Sequence, residues 1–299
     1  MSVLVVGSIA IDTIRTPTDV KENLLGGSAS HAAICASFFT KTQLVGVVGD
    51  DFPKKYINLF LSRKIDLAGL KREHGNTFHW DGKYEKDPNK RSTLVTELGV
   101  FENFKPDLPQ QFRASPFVLL ANISPALQLY VLDQIRTPRF VVADTMDLWI
   151  KTARPELLKL LRRIDAIVIN DSEAKELVNE DNLIHAARLI NKLGPKFVII
   201  KKGEHGSILY SKNDIFILPA YPLLKVVDPT GAGDSFLGAL VGWLASKKDV
   251  SLKNLKTAMV YGTIVASFCC EGFGLDKTSK LNKKMIDHRL TEFKRFTRF

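Results

Sequence analysis

The chain has 299 residues, 45% hydrophobic and 25% charged, the balance of an ordinary globular enzyme and a length that one continuous α/β sheet can fill. No apolar run approaches the ~18 residues a membrane span needs. Cys35, Cys269 and Cys270 are an odd set without metal-ligand spacing, which argues against a disulfide scaffold and for a reducing, cytoplasmic setting.

The formal net charge of +10 gathers near the end, in Lys277, Lys280, Lys283, Lys284, Arg289, Lys294, Arg295 and Arg298, without a nucleic-acid module to accompany it. Phe293, Phe296 and Phe299 recur there at helical spacing, the mark of a helix docked on a core. The charge is read as solubility and attraction for phosphorylated substrates, not nucleic-acid binding.

In chain order, the opening MSVLVVGSIAID has no basic leader and reads as a buried strand over 3–6, not a signal peptide. A helix is predicted over 30–39, a strand over 44–48 and a helix over 54–63. Residues 77–97 break the rhythm, because two strands flank Asp87-Pro88-Asn89-Lys90, a good turn sequence. Phe78, Trp80 and Tyr84 share one face of the first strand, and Thr77, His79, Asp81 and Lys83 the other. A hairpin of this kind serves as a flap or as a dimerisation strand, and a lid is favoured because such insertions commonly close sites against water. Strands at 117–120, 140–143, 166–169 and 197–200 then alternate with helices at 126–134, 155–162, 172–178 and 183–192. The strand runs are continuous and rich in β-branched residues, which predicts a mainly parallel sheet covered on both faces.

The strongest local signal runs from Val226 to Phe236, Val-Val-Asp-Pro-Thr-Gly-Ala-Gly-Asp-Ser-Phe, and feeds an almost wholly apolar helix over 235–246. Gly231 and Gly233 let the backbone turn tightly and approach a ligand, and the amides of Ala232, Gly233 and Asp234 would face an anion at the positive end of the helix dipole. A carboxylate there repels phosphate unless it has a second task. Taking a proton from a hydroxyl while the amides hold a transferring phosphoryl group is such a task. The blander alternative is an ordinary helix cap. No GxxxxGK[ST] loop, GxGxxG turn or protein-kinase catalytic loop is present.

The segment Asp228 to Asp234 resembles the D-x-T-G-A-G-D motif of the ribokinase (PfkB) family of carbohydrate and nucleoside kinases, without departure. The resemblance implies that Asp234 is the base, that Gly231, Ala232 and Gly233 form the anion hole with Thr230 beside the nucleotide, and that Asp228 is near a possible monovalent cation such as K⁺. Gly7 to Asp12 resembles the family's opening motif, which makes Asp12 a holder of acceptor hydroxyls. Gly26-Gly27-Ser28-Ala29 resembles its glycine motif, with Ser28 and His31 where ribokinases proper carry Lys and Asn. Ala10 also replaces an Asn, and these departures count against ribose itself. Asn170-Asp171-Ser172-Glu173 is similar to the N-x-x-E motif, which implies that Asn170 and Glu173 organise Mg²⁺ through water and position the phosphates; a helix cap is the alternative. Lys201, Gly203 and Gly206 stand where the family has a nucleotide-phosphate turn, and 261–274 resembles its adenine-wrapping helix and loop.

The fold so implied is α/β and ribokinase-like, one domain over 1–299 with a mainly parallel central sheet, helices on both faces, and a small β lid over about 76–98 and part of 12–25. The implied reaction passes the γ-phosphoryl group of Mg·ATP to a primary hydroxyl of a furanose-type acceptor, with a nucleoside such as adenosine ahead of a free sugar. A non-catalytic sugar- or nucleotide-binding regulator is the rival. Pairing of two copies through the lid is a further expectation.

Overall fold

In the computed structural model, which describes residues 1–87, 90–212 and 214–298, the first half of the chain runs β1 (Ser2–Val6), β2 (Ala10–Arg15), β3 (Val20–Gly26), α1 (Ser28–Ala36), β4 (Lys41–Val48), α2 (Lys54–Ser62), β5 (Asp66–Arg72), β6 (Phe78–Tyr84) and β7 (Arg91–Glu97). There follow β8 (Phe117–Leu120), α3 (Pro125–Gln134), β9 (Phe140–Asp144), α4 (Asp147–Thr152), α5 (Arg154–Leu161), β10 (Ala166–Asn170), α6 (Asp171–Val178) and α7 (Leu183–Lys192). The last elements are β11 (Phe197–Lys201), β12 (Ser207–Ser211), β13 (Asp214–Leu218), α8 (Ala232–Lys247), α9 (Leu252–Cys269) and α10 (Lys283–Phe296).

Nine strands form the central sheet in the order β13-β12-β11-β10-β9-β8-β1-β4-β5, parallel from β11 to β5 and antiparallel at β12 and β13. Alternate residues of β1 feed two cores: Val3 and Val5 pack toward α1, α8 and α9, while Leu4 and Val6 pack toward α3, α5, α6 and α7. This is why the inner strands read as unbroken apolar runs.

A second sheet has the order β3-β2-β6-β7, with β2 and β6 parallel and the other pairs antiparallel. It takes in β2 and β3 beside the expected hairpin. The turn residues Pro88 and Asn89 lie outside the described residues, as does Phe299. Phe78 stacks on Phe101 at 5.4 Å, and Phe101 stacks on Phe104 at 5.5 Å. Helix α1 ends at Ala36, short of the predicted 39, and α8 begins at Ala232, so Gly233 and Asp234 are already helical. No helix among the described residues is long and apolar enough to cross a membrane. Cys35, Cys269 and Cys270 are unpaired.

Candidate active site

The carboxyl ends of β1, β8, β9, β10 and β11 lie along one edge of the central sheet, the edge where ligands sit in open α/β folds. The start of α8 meets that edge through Gly231, whose φ of 74° places it in the left-handed region. An added Cβ there would come within 2.2 Å of the His31 ring, so the imidazole lies directly against the turn. His31 is 1% exposed, neither ring nitrogen has a partner, and burial pushes its pKa down to about 4, so the ring is neutral. The Ala232 amide, expected in the anion hole, donates to the Pro229 carbonyl at 3.1 Å. That leaves the Gly231 and Gly233 amides at the positive end of the helix.

Lys201, at the end of β11, is the hub of the charges. Its Nζ lies 2.8 Å from where a Cβ on Gly233 would stand, against the first turn of α8, and 3.7 Å from Oδ1 of Asp144. Burial works against its charge, yet Asp144, Glu173 and Asp234 together hold its pKa above the ordinary value. Enclosure raises Asp234, with Lys201 and Arg91 pulling it back. Burial likewise raises Asp144 to about 6 and Glu173 to about 7. Asn170 and Glu173 form a capping box on α6: Asn170 Oδ1 accepts from the Glu173 amide at 2.8 Å, and Glu173 Oε2 accepts from the Asn170 amide at 2.7 Å. No set of three or more His, Cys, Asp or Glu side chains gathers into a metal cage among the described residues. Asp144 and Glu173 are hard oxygen donors, and two carboxylates fit a Mg²⁺ ion that keeps most of its waters.

On the other side of the edge, the Asp12 carboxylate lies across Gly26, where a Cβ would fall 1.9 Å from Oδ2. Only a glycine leaves that space. Burial, with Asp228 and Asp234 adding to it and Arg91 opposing, raises Asp12 to about 8. Gly27 (φ 87°) starts α1, and the Ser28 amide and hydroxyl are both within 3.1 Å of Ser8 Oγ. Ser28 Oγ also donates to the Asn122 carbonyl at 3.2 Å. From the second sheet, Tyr84 accepts a hydrogen bond from Thr230 Oγ1 at 2.9 Å, so Thr230 ties that sheet to the loop before α8. Asp228 is fully buried, and its oxygens accept from the amides of Thr230 (2.8 Å) and Gly274 (3.1 Å).

A cavity of about 580 Å³ opens beside this cluster, lined by Lys201, Gly203, Gly206, Ala232 and Gly233 and walled by Thr263, Ala266 and Cys270 of the helix and loop after α8. Asn170, Glu173 and Thr230 are not part of its lining. Asp144, Arg91 and Asn122 escaped sequence reasoning, and Tyr84 was read only as a lid aromatic, without its bond to Thr230. Asp144 left one signal, a carboxylate closing the apolar run of β9. Arg91, opposite Tyr84 in the β6–β7 register, left none.

The nine-stranded sheet, the second sheet and the glycine turn into α8 make up the ribokinase-like fold. The aminoimidazole riboside kinase of Salmonella enterica, solved with aminoimidazole riboside and an ATP analog, shares it with a TM-score of 0.81 at 18% identity, over 97% of this chain and 100% of that one. A putative ribokinase II from E. coli in complex with ATP and Mg²⁺ does so with a TM-score of 0.80 at 16% identity, over 97% and 99%. Cytidine kinase from Thermococcus kodakarensis is 28% identical over 248 residues, 81% of this chain and 87% of its own. The pfkB family carbohydrate kinase pattern matches residues 1–281, and the chain belongs to that family. It is a phosphotransferase with an alcohol group as acceptor.

Proposed function

We propose that the enzyme passes the γ-phosphoryl group of ATP to the primary hydroxyl of a nucleoside, with Asp234 as base. The observation that carries this reading is the meeting of Asp12 and Asp234. Asp12 on β2 and Asp234 in the first turn of α8 are close enough that the Asp234 charge raises the proton affinity of Asp12, while Lys201 stands against the turn into α8 beside the cavity. Asp12 is suited to hold a diol, since the protonated acid favoured by its raised pKa donates one hydrogen bond and accepts another, and the carboxylate accepts two. Asp234 removes the proton of the attacking hydroxyl, and the Gly231 and Gly233 amides with Lys201 face the transferring group. ATP fills the cavity along Gly203 and Gly206. Asp144, Glu173 and Asn170 would hold a Mg²⁺ ion, which would supply charge neutralisation at the phosphates.

The relatives that act on ribosides support a nucleoside ahead of a free sugar. Asp228 serves the loop through two backbone amides, and a K⁺ ion beside it would use its remaining lone pairs. The second sheet closes the acceptor side as a lid, and β7, exposed along its length with Leu94 and Val95 outward, is the edge at which two copies could pair. The unpaired cysteines support a cytoplasmic setting. A screen of ATP consumption against nucleosides and sugars, with and without K⁺, tests the reading. Turnover of sugars without any nucleoside overturns the acceptor assignment.

A further inference from the structure

We infer that Trp149 is the platform on which the acceptor's planar ring stacks, so that the central domain, rather than the second sheet, distinguishes a nucleoside from a sugar. This rests on the nucleoside reading above. The chain has three tryptophans, and two of them are fully employed. Trp243 is buried, stacked on Tyr261 at 5.3 Å and approached by Lys247 at 5.2 Å. Trp80 lies against Gly82, where a Cβ would stand 1.9 Å from its ring. It also carries the Arg91 guanidinium at 5.3 Å and packs with Ile14, Tyr84 and Phe273.

Trp149 is different. It is half-buried at the start of α4, joins none of the hydrophobic clusters, and has no ring or cation against it among the described residues. Its edge is nevertheless fixed. Nε1 donates to Asn122 Oδ1 at 3.0 Å, and Asn122 Nδ2 donates to Met146 Sδ at 3.1 Å. The Asn122 carbonyl accepts from Ser28 Oγ, and Ser28 follows the Gly26-Gly27 pair across which the Asp12 carboxylate lies. The indole is therefore tethered to the same wall that holds Asp12.

An aromatic side chain with its polar edge satisfied and an apolar face unpacked is costly to a fold and useful to a ligand. A nucleobase offers a π-face to such a surface whatever its hydrogen-bonding edge, and a free sugar does not. The expected selectivity is thus for the presence of a base more than for its identity.

The test compares kcat/KM for cytidine and adenosine with that for methyl β-D-ribofuranoside, a furanoside without a base, in the wild type, Trp149→Ala and Trp149→Phe. The ratio of nucleoside to furanoside should fall at least tenfold in Trp149→Ala and return in Trp149→Phe. In parallel, nucleoside binding to Asp234→Asn should quench tryptophan fluorescence, and adding Trp149→Phe should abolish the quench while binding persists by calorimetry. An unchanged ratio, or a quench that survives without Trp149, overturns the inference and leaves the nucleoside kinase standing. A wild type that turns over the furanoside and no nucleoside removes the acceptor reading itself.

Discussion

Asp12→Asn should make the protein more stable above neutral pH while it removes acceptor binding. Asp12 is 4% exposed, and its Oδ1 has no hydrogen-bond partner. Burial, with Asp228 and Asp234 close by and Arg91 opposing them, pushes its pKa from 3.8 up to about 8. The folded state thus holds this proton more tightly than the unfolded chain does. The stability it contributes is fully present below the unfolded value and is lost as pH rises through the folded one. At ~1.4 kcal/mol per unit, a shift of roughly four units bounds the loss at about 6 kcal/mol, and relaxation with water entry cuts this to a few. An amide of the same shape never ionises. The difference between variant and wild type should therefore be near zero around pH 4 and reach about 2–4 kcal/mol in the variant's favour around pH 8.5. Urea denaturation at the two pH values, with equal slopes against denaturant, reads it directly. Shifts at Asp144 and Glu173 occur in both proteins and largely cancel. A difference that does not grow with pH, or a wild type that is the more stable at the higher pH, refutes the reasoning.

Asp234→Asn should lower kcat by roughly 10²–10⁴-fold while calorimetric ATP binding persists, and near-normal turnover would sink its role as base. Because enclosure raises Asp234, the acid limb of the pH–rate profile should lie above the ordinary carboxylate range, activity being lost as pH falls through the raised value. Arg91→Gln removes one of the two cations that pull Asp234 down, so the limb should move further up; an unmoved limb removes Arg91 from the site. Gly26→Ala places a Cβ 1.9 Å from the Asp12 carboxylate and should raise the acceptor KM about tenfold or more with the KM for ATP little changed, which steady-state kinetics checks.

The central sheet was legible because its inner strands are buried on both faces and therefore spelled in unbroken apolar runs, as in Val3 to Val6 or Ala166 to Ile169. Strands β2 and β3 were not legible from their own residues, and only the family resemblance put part of 12–25 in the lid. β2 carries Asp12 and Thr13 in buried positions, and β3 begins with the exposed run Val-Lys-Glu-Asn, so neither shows a clean alternation. The edge strands β5 and β13 are largely exposed and hid for the same reason. The site divides in a similar way. Asp228 to Asp234 could be read from neighbouring residues, since glycines, a carboxylate and a helix start are local facts. Asp144, Arg91, Asn122 and Trp149 are single residues that topology alone brings to one edge. Asn170 and Glu173 fall between these cases. Their capping box is complete without any ligand, and a cap was the competing explanation of the motif from the start. A cap does not require burial of its carboxylate, however, and an exposed first turn would serve it better. Glu173 is 9% exposed beside Asp144 and Lys201, where two carboxylates share one ammonium with Asp234. Such a cluster carries excess negative charge, and the phosphates of a nucleotide can approach it only with a divalent cation between them.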